Sequence, residues 1–286
     1  KMTIRDFLYF DKQNEKDMLD ILYAQRQYYN MANKLDSINL LLIFVVCMYD
    51  FFEINNAMIK LLINGVIALI IYIITHVTNY YVKRGADLKK YFDYKLYSFN
   101  GITKQFEESC RKSIHNILKK NMSDYNQQIS NDGKSDPPGL KNWYFNEGKT
   151  QILDIIRSTQ SQNIRWDKKI STLYLIMIII LIIVLFISYT ITCILMNFNV
   201  VEFIVGLLSF ASFFYYLFKK IISYIKINKF VYYAEQLLTK AKNDVDLIEI
   251  QEIIDKRRRE NLCPPNIIHK IISKSVHEEI EFINKN

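Results

Sequence analysis

The sequence has few of the residues that build turns. Its 286 residues include only 7 glycines and 4 prolines, which leaves little turn chemistry for a many-stranded sandwich, a barrel or a glycine-looped α/β enzyme. Its 4 cysteines form no closely spaced pair, so neither a zinc knuckle nor a disulfide framework is indicated. Aromatic residues make up 14% of the chain, which excludes a disordered protein. We therefore expect a helical protein whose polar parts face a reducing compartment.

Known catalytic motifs are also missing. The chain contains no P-loop, GxGxxG, HExxH, GxSxG or CxxC pattern, and each of these would mark a specific chemistry. The 4 histidines lie at no spacing typical of a zinc site. We therefore expect a protein that is not an enzyme and that holds neither a resident metal nor a cofactor.

Long hydrophobic runs are what the chain does have. Thr172–Met196 is a run of twenty-five residues without a formal charge, and at about 1.5 Å per residue it exceeds the roughly 30 Å hydrocarbon core of a bilayer. Val200–Phe218 carries one charge, Glu202, and follows after a three-residue loop. Met58–Tyr81 is a third candidate span. Ser37–Phe52 is the weakest, because it is shorter than a full crossing and is placed in the membrane mainly as a partner for the third candidate.

These runs predict an all-α membrane protein with two transmembrane helical hairpins, hence four spans, and a cytoplasmic helical bundle. The predicted parts are a cytoplasmic amphipathic helix at 1–36, a first hairpin at 37–81, a cytoplasmic helical region at 82–170, a second hairpin at 171–218 and C-terminal cytoplasmic helices at 219–286.

The positions of the cations predict the orientation. Of the 37 Lys and Arg residues, all but Lys60 lie before residue 37, between 82 and 170, or after 217. The positive-inside rule then puts both termini in the cytoplasm, with Asp50, Glu53 and Glu202 near the outer face. Because the stretch 1–36 is polar, we expect no cleavable secretory signal at the start of this sequence.

Apolar periodicity predicts the helices outside the membrane. One apolar stripe runs over Asp87–Phe106, a polar loop follows at Ser123–Leu140, and another helix begins near Thr150 and continues without a breaker into the third span. Phe230–Arg259 is typical of one long helix or a helical pair. A last helix carries apolar residues at four-residue spacing from Ile268 to Ile280.

Polar residues within the spans are candidates to line a pore. They are Asn64, Ser188, Thr190, Thr192, Ser209 and Ser212, with Asp50, Glu53 and Glu202 as acidic rings at the outer mouth. The alternative is structural: Ser and Thr in a span usually bond to their own helix, and Asn64 could bridge two helices.

The two tryptophans mark the candidates for a ligand site outside the spans. Trp143 is followed by Tyr144, and Trp166 is preceded by Arg165; aromatic faces next to Arg stack bases and neutralise phosphates. Trp166 fits equally well as an anchor at the membrane interface. The triplet Arg257–Arg259 could bind anionic lipid or an oligonucleotide, although a solvated helix face is the commoner outcome.

A set of short motifs spread over the whole chain carries a resemblance to a known family. They are Gln13-Asn14, Ala24–Tyr29, Ala86–Tyr97, Asn142–Tyr144, Gln162–Asp167, Ile250–Arg257 and Pro264-Pro265. In order, spacing and two-hairpin layout the chain resembles the SMODS-associating four-transmembrane effectors, pore-forming proteins of bacterial antiphage loci. No single motif is long, so the resemblance depends on their co-occurrence.

The resemblance implies an effector of a cyclic-oligonucleotide-based antiphage signalling system (CBASS). In such a system a nucleotidyltransferase makes a cyclic di- or trinucleotide on infection, and the effector binds it and breaches the inner membrane. The expected sensor is the region 82–170, and the expected partners are the lipid bilayer, the cyclic oligonucleotide and further copies of this chain, with no direct DNA or RNA binding. The ligand candidates, chosen for their chemistry and for lying in these motifs, are Arg26, Trp143, Tyr144, Arg165 and Trp166.

Two other functions stay open at this point. The nucleotide could instead hold an inherently toxic pore shut, so that its depletion opens the pore. Alternatively, the chain could be a membrane scaffold without a pore, whose cytoplasmic bundle recruits a partner protein.

Overall fold

The described part of the chain is helical. A computed structural model describes residues 10–51, 57–120, 122–132, 135, 139–145, 148–265, 268, 271 and 272. Over these residues the chain forms eight α-helices and no strand, apart from one isolated bridge between Asp132 and Lys141. The helices are α1 Lys16–Phe51, α2 Ala57–Tyr97, α3 Lys104–Leu118, α4 Met122–Ser130, α5 Ile152–Leu195, α6 Val200–Ser209, α7 Ala211–Leu238 and α8 Asp244–Arg258.

Three of these helices are much longer than a bilayer is thick. α1, α2 and α5 have 36, 41 and 44 residues, which corresponds to about 54–66 Å at 1.5 Å per residue. The predicted borders at 36/37, 81/82, 170/171 and 218/219 all fall inside continuous helices. Each predicted border is therefore a position along a continuous helix and does not separate two independently folded domains.

The length and composition of the helices indicate a multi-pass membrane protein. Among the described residues three helices, α1, α2 and α5, can cross a membrane, and a fourth crossing results if α6 and α7 count as one bent span. Their apolar parts expose large side chains such as Leu69, Ile180 and Val205 by more than half. Exposing so large an apolar surface to water is unfavourable, whereas in a membrane the lipid chains cover it.

The predicted fourth span is not straight. α6 and α7 meet at Phe210 with a bend of 55°. The hydroxyl of Tyr189 on α5 donates to the backbone carbonyl of Phe203 at 2.6 Å, and its ring lies 5.9 Å from that of Phe210. Phe203 lies seven residues before Phe210 and inside the unbroken α6, so this contact joins α5 to α6 and is not the cause of the bend. Periodicity in one segment does not reveal the bend.

The structure corrects two predictions about the polar segments between the hairpins. The stripe Asp87–Phe106 is interrupted, because α2 ends at Tyr97 and Ser98 and Gly101 adopt positive φ angles of 59° and 115° before Thr103 caps α3. The predicted loop Ser123–Leu140 begins with a helix, α4.

Phe230–Arg259 is a pair of helices, the second of the two alternatives. α7 ends at Leu238, and α8 begins with a capping box in which Asn243 and Asp246 each accept the other's backbone N–H. Of the predicted last helix, Val276 and Ile280 lie outside the described residues, as does Glu53 of the predicted outer acidic ring.

The hydrophobic core is centred at the polar end of the long helices and extends into the predicted spans through residues such as Cys47, Ile178 and Phe213. α1 packs along α2, α5 packs along α7, and α8 contacts α2, α5 and α7. The fully buried side chains include Tyr23, Leu88, Phe92, Ile155 and Ile250, all outside the predicted spans. In the apolar part of α2 only 6% of the most hydrophobic window is buried within the chain. One copy therefore has a packed bundle at its polar end and loosely packed helices in the membrane.

Candidate functional site

A carboxylate without solvent exposure lies at the centre of the polar bundle. Asp93 on α2 has an exposed fraction of 0%. One of its oxygens lies 3.1 Å from the amine of Lys89, and the other lies 2.7 Å from the guanidinium of Arg258 on α8. Tyr144 and Gln251 complete the shell by donating hydrogen bonds of 2.7 and 3.1 Å. A buried charge is tolerated only when it is paired and hydrogen-bonded in this way.

Tyr144 joins the loop before α5 to this carboxylate. Its hydroxyl donates to Asp93 and accepts hydrogen bonds from Lys89 at 3.0 Å and from Asn163 of α5 at 2.8 Å. Its backbone is held from the other side by Gln13, which accepts from the Tyr144 N–H at 2.9 Å and donates to the Tyr144 carbonyl at 3.1 Å. The N-terminal segment, α2, α5 and the loop therefore meet at one side chain.

Lys89 is enclosed by aromatic rings. Its amine lies 4.4 Å from the ring centroid of Phe92, 4.9 Å from that of Trp143 and 4.6 Å from that of Tyr144, within the range of cation–π attraction. Burial lowers the pKa of Lys89 to about 8, although the nearby Asp93 opposes the shift. Burial alone would raise the pKa of Asp93, but Lys89 and Arg258 outweigh it and hold that pKa below its ordinary value.

The arginine triplet is neither a solvated helix face nor an open polyanion site. Arg257 pairs with Asp167 of α5 at 2.7 Å, and Arg258 pairs with the buried Asp93. Arg259 lies 2.6 Å from Asp87 of α2. Each guanidinium is thus used to fasten the end of α8 to α2 or α5, which corrects the expectation from the sequence.

Arg258 also has a second acidic partner, Asp255, one turn earlier on α8. The two side chains are 3.2 Å apart, and Asp255 Oδ1 also accepts from Gln251 at 3.1 Å. The other oxygen of Asp255 is buried and has no hydrogen-bond partner among the described residues. Burial raises the pKa of Asp255 to about 6, while Arg258 pulls it down. This carboxyl is therefore the part of the network closest to protonation near neutral pH.

The structure brings three of the five predicted ligand residues together. The guanidinium of Arg26 on α1 lies 5.9 Å from the ring centroid of Trp143, and Tyr144 follows in the chain. In this arrangement Arg26 donates to the carbonyl of Gly139 at 2.8 Å and to the side chain of Gln128 at 3.1 Å. Burial lowers the pKa of Arg26 to about 10, so it stays charged at neutral pH.

The other two predicted ligand residues lie along α5. Trp166 is half-buried and packs against the hydrophobic core, and Arg165 next to it is half-buried as well. They occupy the stretch of α5 between Asn163, which contacts Tyr144, and the third predicted span.

The predicted pore-lining residues have local roles within one copy. The hydroxyls of Ser188, Thr190 and Ser209 donate to backbone carbonyls four residues earlier, at 2.8, 2.9 and 3.4 Å. Glu202 accepts from the N–H of Asn199 at 2.7 Å and so caps α6. Asn64 lies half-buried on α2. The hydrogen bonds match the structural alternative, but they leave Ser188 and Glu202 exposed on the surface of a single copy.

A cleft of about 330 Å³ opens elsewhere at the polar end, where the start of α5 meets the end of α7. Its lining residues are Lys149, Asp154, Arg157, Ser158, Ser161, Leu238 and Thr239. No aromatic side chain is among them, and Arg157 already pairs with Asp154 at 3.0 Å. The cleft therefore fits base stacking less well than the surroundings of Trp143 do.

Residue patterns did not identify the central residues of this network. Asp93 and Lys89 lie in the motif Ala86–Tyr97, but within the sequence they form only a pair four residues apart, and such pairs are common on solvated helices. Gln251 and Arg258 lie in motifs whose role depends on partners more than a hundred residues away.

Asp93→Asn should destabilise the polar bundle strongly. The change removes one charge, which leaves the buried Lys89 without an ionic partner and Arg258 with only Asp255; breaking a buried pair in this way typically costs about 3–5 kcal/mol. Thermal unfolding in detergent, followed by circular dichroism, measures the loss. The matched control is Asp87→Asn, whose partner Arg259 is half exposed and can be hydrated when the pair is lost, so the change should cost about 1 kcal/mol. Equal effects of the two changes would contradict a central role for Asp93.

The stability of the protein should rise through Asp255 as the pH falls from about 6.5 to 4. Because the pKa of Asp255 is raised in the folded state to about 6, the folded chain binds this proton before the unfolded chain does. A shift of about two units corresponds to about 2–3 kcal/mol at most. The unfolding midpoint of Asp255→Asn, measured over this range, should lack that increment. A pH dependence that is unchanged in Asp255→Asn would contradict the assignment.

Comparison with known proteins gives one match. No curated protein and no solved structure matches the chain. A family model for the SMODS-associating 4TM effector domain matches residues 10–286, which include every helix and the whole network around Asp93. The chain therefore belongs to the SMODS-associating 4TM effector family, as its motifs predicted.

Proposed function

We propose that the protein senses a cyclic di- or trinucleotide at its polar end and responds by assembling into a pore that disrupts the bacterial inner membrane. Family membership makes the chain a membrane effector of CBASS-type defence. The sensing, the pore and the orientation, with the polar end and both termini in the cytoplasm, are our inference. The proposed role is one of binding and rearrangement, without catalysis or a cofactor.

The observation that carries the proposal is the continuity of α5. One unbroken helix of 44 residues contains Asn163 and Asp167, which bind Tyr144 and Arg257, and then the apolar run Thr172–Met196. A helix transmits a rotation or tilt along its length because its backbone hydrogen bonds keep it stiff. A change in the polar network would therefore reach the membrane without passing through a loop.

The chemistry around Trp143 supports an anionic, base-containing ligand. The indole offers a face for a base, and Arg26 and Lys89 are cations within 6 Å of its centroid. A phosphate near Lys89 would compete with Asp93 for that amine and would weaken the hold of Asp93 on Tyr144. The ligand can drive this change only if it binds the rearranged form more tightly than the resting form.

A stripe on α7 supports assembly from several copies. Tyr215, Phe218, Ile222, Ile225 and Tyr232 are all more than half exposed, and with Lys229 they follow the alternating three- and four-residue spacing of a coiled-coil seam. The opposite side of α7 is already buried within the chain. Tyr232 lies fourteen residues, or about 21 Å, beyond the predicted end of the span, where hydrocarbon does not cover it. A second copy of α7 fits this stripe.

Pore lining remains the proposed role of the polar span residues. Ser188 and Glu202 are exposed on one copy, so assembly could turn them toward a lumen or a neighbouring subunit, together with Asn64, Thr190 and Ser209. The hydroxyls of Ser188 and Thr190 use their protons in hydrogen bonds to their own helix, and their oxygen lone pairs stay available to ions or water.

Purified protein in dye-filled liposomes tests the proposed function. One of a panel of cyclic di- and trinucleotides should speed dye release at least about tenfold, which corresponds to a modest difference in affinity between the two forms. Trp143→Ala should abolish the response, and Trp143→Phe, which keeps an aromatic face, should retain part of it. A panel that leaves release unchanged would contradict sensing.

The same measurement separates the alternatives. Rapid release without nucleotide that a nucleotide slows would favour the pore held shut by its ligand. A nucleotide that binds without any release, together with a stable membrane potential in activated cells, would favour the scaffold.

Ile225→Glu should reduce assembly. A charge in the middle of the stripe would have to be buried against the second copy, so the ligand-bound oligomer should fall apart while the monomer stays folded. Chemical crosslinking and size-exclusion chromatography measure the oligomer. Val245→Glu makes a similar aliphatic-to-Glu change at an exposed position on α8 and should leave assembly intact. Loss of assembly in both variants, or in neither, would argue against this surface.

A further inference from the structure

A second buried ion pair lies where the membrane helices end. Asp36 of α1 accepts a hydrogen bond of 2.8 Å from the amine of Lys220 and one of 2.7 Å from the hydroxyl of Tyr216, both on α7. The side chains of Lys220 and Asp36 are only 6% and 9% exposed. Because α1 belongs to the first predicted hairpin and α7 to the second, this pair ties the two hairpins together.

The ion pair coincides with one predicted boundary of the spans. Asp36 immediately precedes the first span, Lys220 follows the last one by two residues, and Asn79 lies two residues before the second span ends. The side-chain oxygen of Asn79 accepts from Asn261 at 2.6 Å. Charges at this depth are costly unless they are paired, so this polar layer holds the ends of the helices in register.

The segment Arg257–Leu262 connects this layer to the network around Asp93. At its start, Arg257 and Arg258 bind Asp167 and Asp93. At its end, the amine of Lys220 donates to the carbonyl of Leu262 at 3.2 Å. Only three residues separate Arg258 from Leu262, so the chain between the two buried clusters has little slack. Movement of the end of α8 therefore pulls on the partners of Lys220.

We propose that the Asp36–Lys220 ion pair and the segment Arg257–Leu262 form an autoinhibitory latch, which holds α7 against α1 in the resting effector and opens when the Asp93 network rearranges. The inference rests on the proposed function for what release achieves, whereas the latch itself is a statement about structure.

The latch also identifies the part of the fourth span that can move. Lys220 lies ten residues, about 15 Å, after the break at Phe210, so the ion pair fixes α7 relative to α1. α6, on the far side of the bend, contacts α1, and its Phe203 carbonyl accepts a hydrogen bond from Tyr189 of α5. Release of the latch would let α7 move with its exposed stripe and change the bend.

Distance measurements between spin labels test the latch without reference to pore formation. Labels at Lys34→Cys on α1 and Lys226→Cys on α7 occupy exposed positions, and the four native cysteines are buried. In lipid nanodiscs without nucleotide, the parent protein should give one narrow distance distribution. Lys220→Met and Asp36→Asn should each add a longer population. The charge-swapped pair Asp36→Lys with Lys220→Asp should restore the narrow one in part, because a carboxylate at position 220 can pair with the new lysine but cannot donate to the Leu262 carbonyl.

Lys219→Met is the matched control for these variants. It removes the neighbouring cation, which is exposed, and should leave the distances unchanged. A distribution in Lys220→Met identical to that of the parent protein would overturn the latch. If a single variant does not fold, Tyr216→Phe removes only one hydrogen bond from Asp36 and should give a smaller shift in the same direction. The absence of any shift in that variant would also overturn the proposal.

Dye release from liposomes without nucleotide then tests the regulatory part. Lys220→Met and Asp36→Asn should leak at least about tenfold faster than the parent protein, as expected when the resting form loses a differential stabilisation of that size, and the charge swap should reverse part of the leak. Altered distances without leakage, in a protein whose parent responds to nucleotide, would overturn autoinhibition. A third outcome is possible: the variants change the distances, but neither the variants nor any nucleotide causes leakage. That result would contradict the proposed pore and would still support the latch.

Discussion

A carboxylate sealed away from water is the constraint on which the polar half of this protein depends. The ionised carboxylate of Asp93 is stable in this position only if its four donors, Lys89, Arg258, Tyr144 and Gln251, all reach it. Each missing donor would leave buried charge without compensation. These partners come from α2, α8 and the loop before α5. Satisfying one side chain therefore fixes the mutual positions of elements that are far apart in the sequence.

The membrane half is held together on different terms. Its helices expose their apolar side chains to lipid and are little buried within one chain, so the hydrophobic effect gives no strong preference for one arrangement of them. What sets their register is the polar layer at their ends, where Asp36, Tyr216 and Lys220 meet. A packed bundle with buried ion pairs thus adjoins loosely packed spans, which is the distribution of stability that the proposed rearrangement would require.

The helices were largely predictable from the sequence, because apolar runs and periodicity are local properties. The helical class, the apolar runs and the continuity of α5 from Trp166 into its apolar run are all found in the structure, and the family was recognisable from scattered motifs. The bend near Phe210 was missed because apolar residues continue on both sides of it, so the local pattern does not change there. The interruption after Tyr97, at Ser98 and Gly101, had only weak local signals.

What the sequence alone determined is thus the solvent of each segment: lipid for the long apolar runs, and water or protein for the charged ones, because transfer free energy depends on the residues themselves. Only the tertiary structure decided the roles of the charges. Arg258 lies in a basic triplet that is typical of a solvated helix face, yet it is buried against Asp93, 165 residues earlier. Tyr144 was predicted to bind the ligand, and it is buried as a hydrogen-bond partner of the same carboxylate. A charge is stabilised by whatever lies within a few ångströms of it, and in this chain those neighbours come together only when the helices pack.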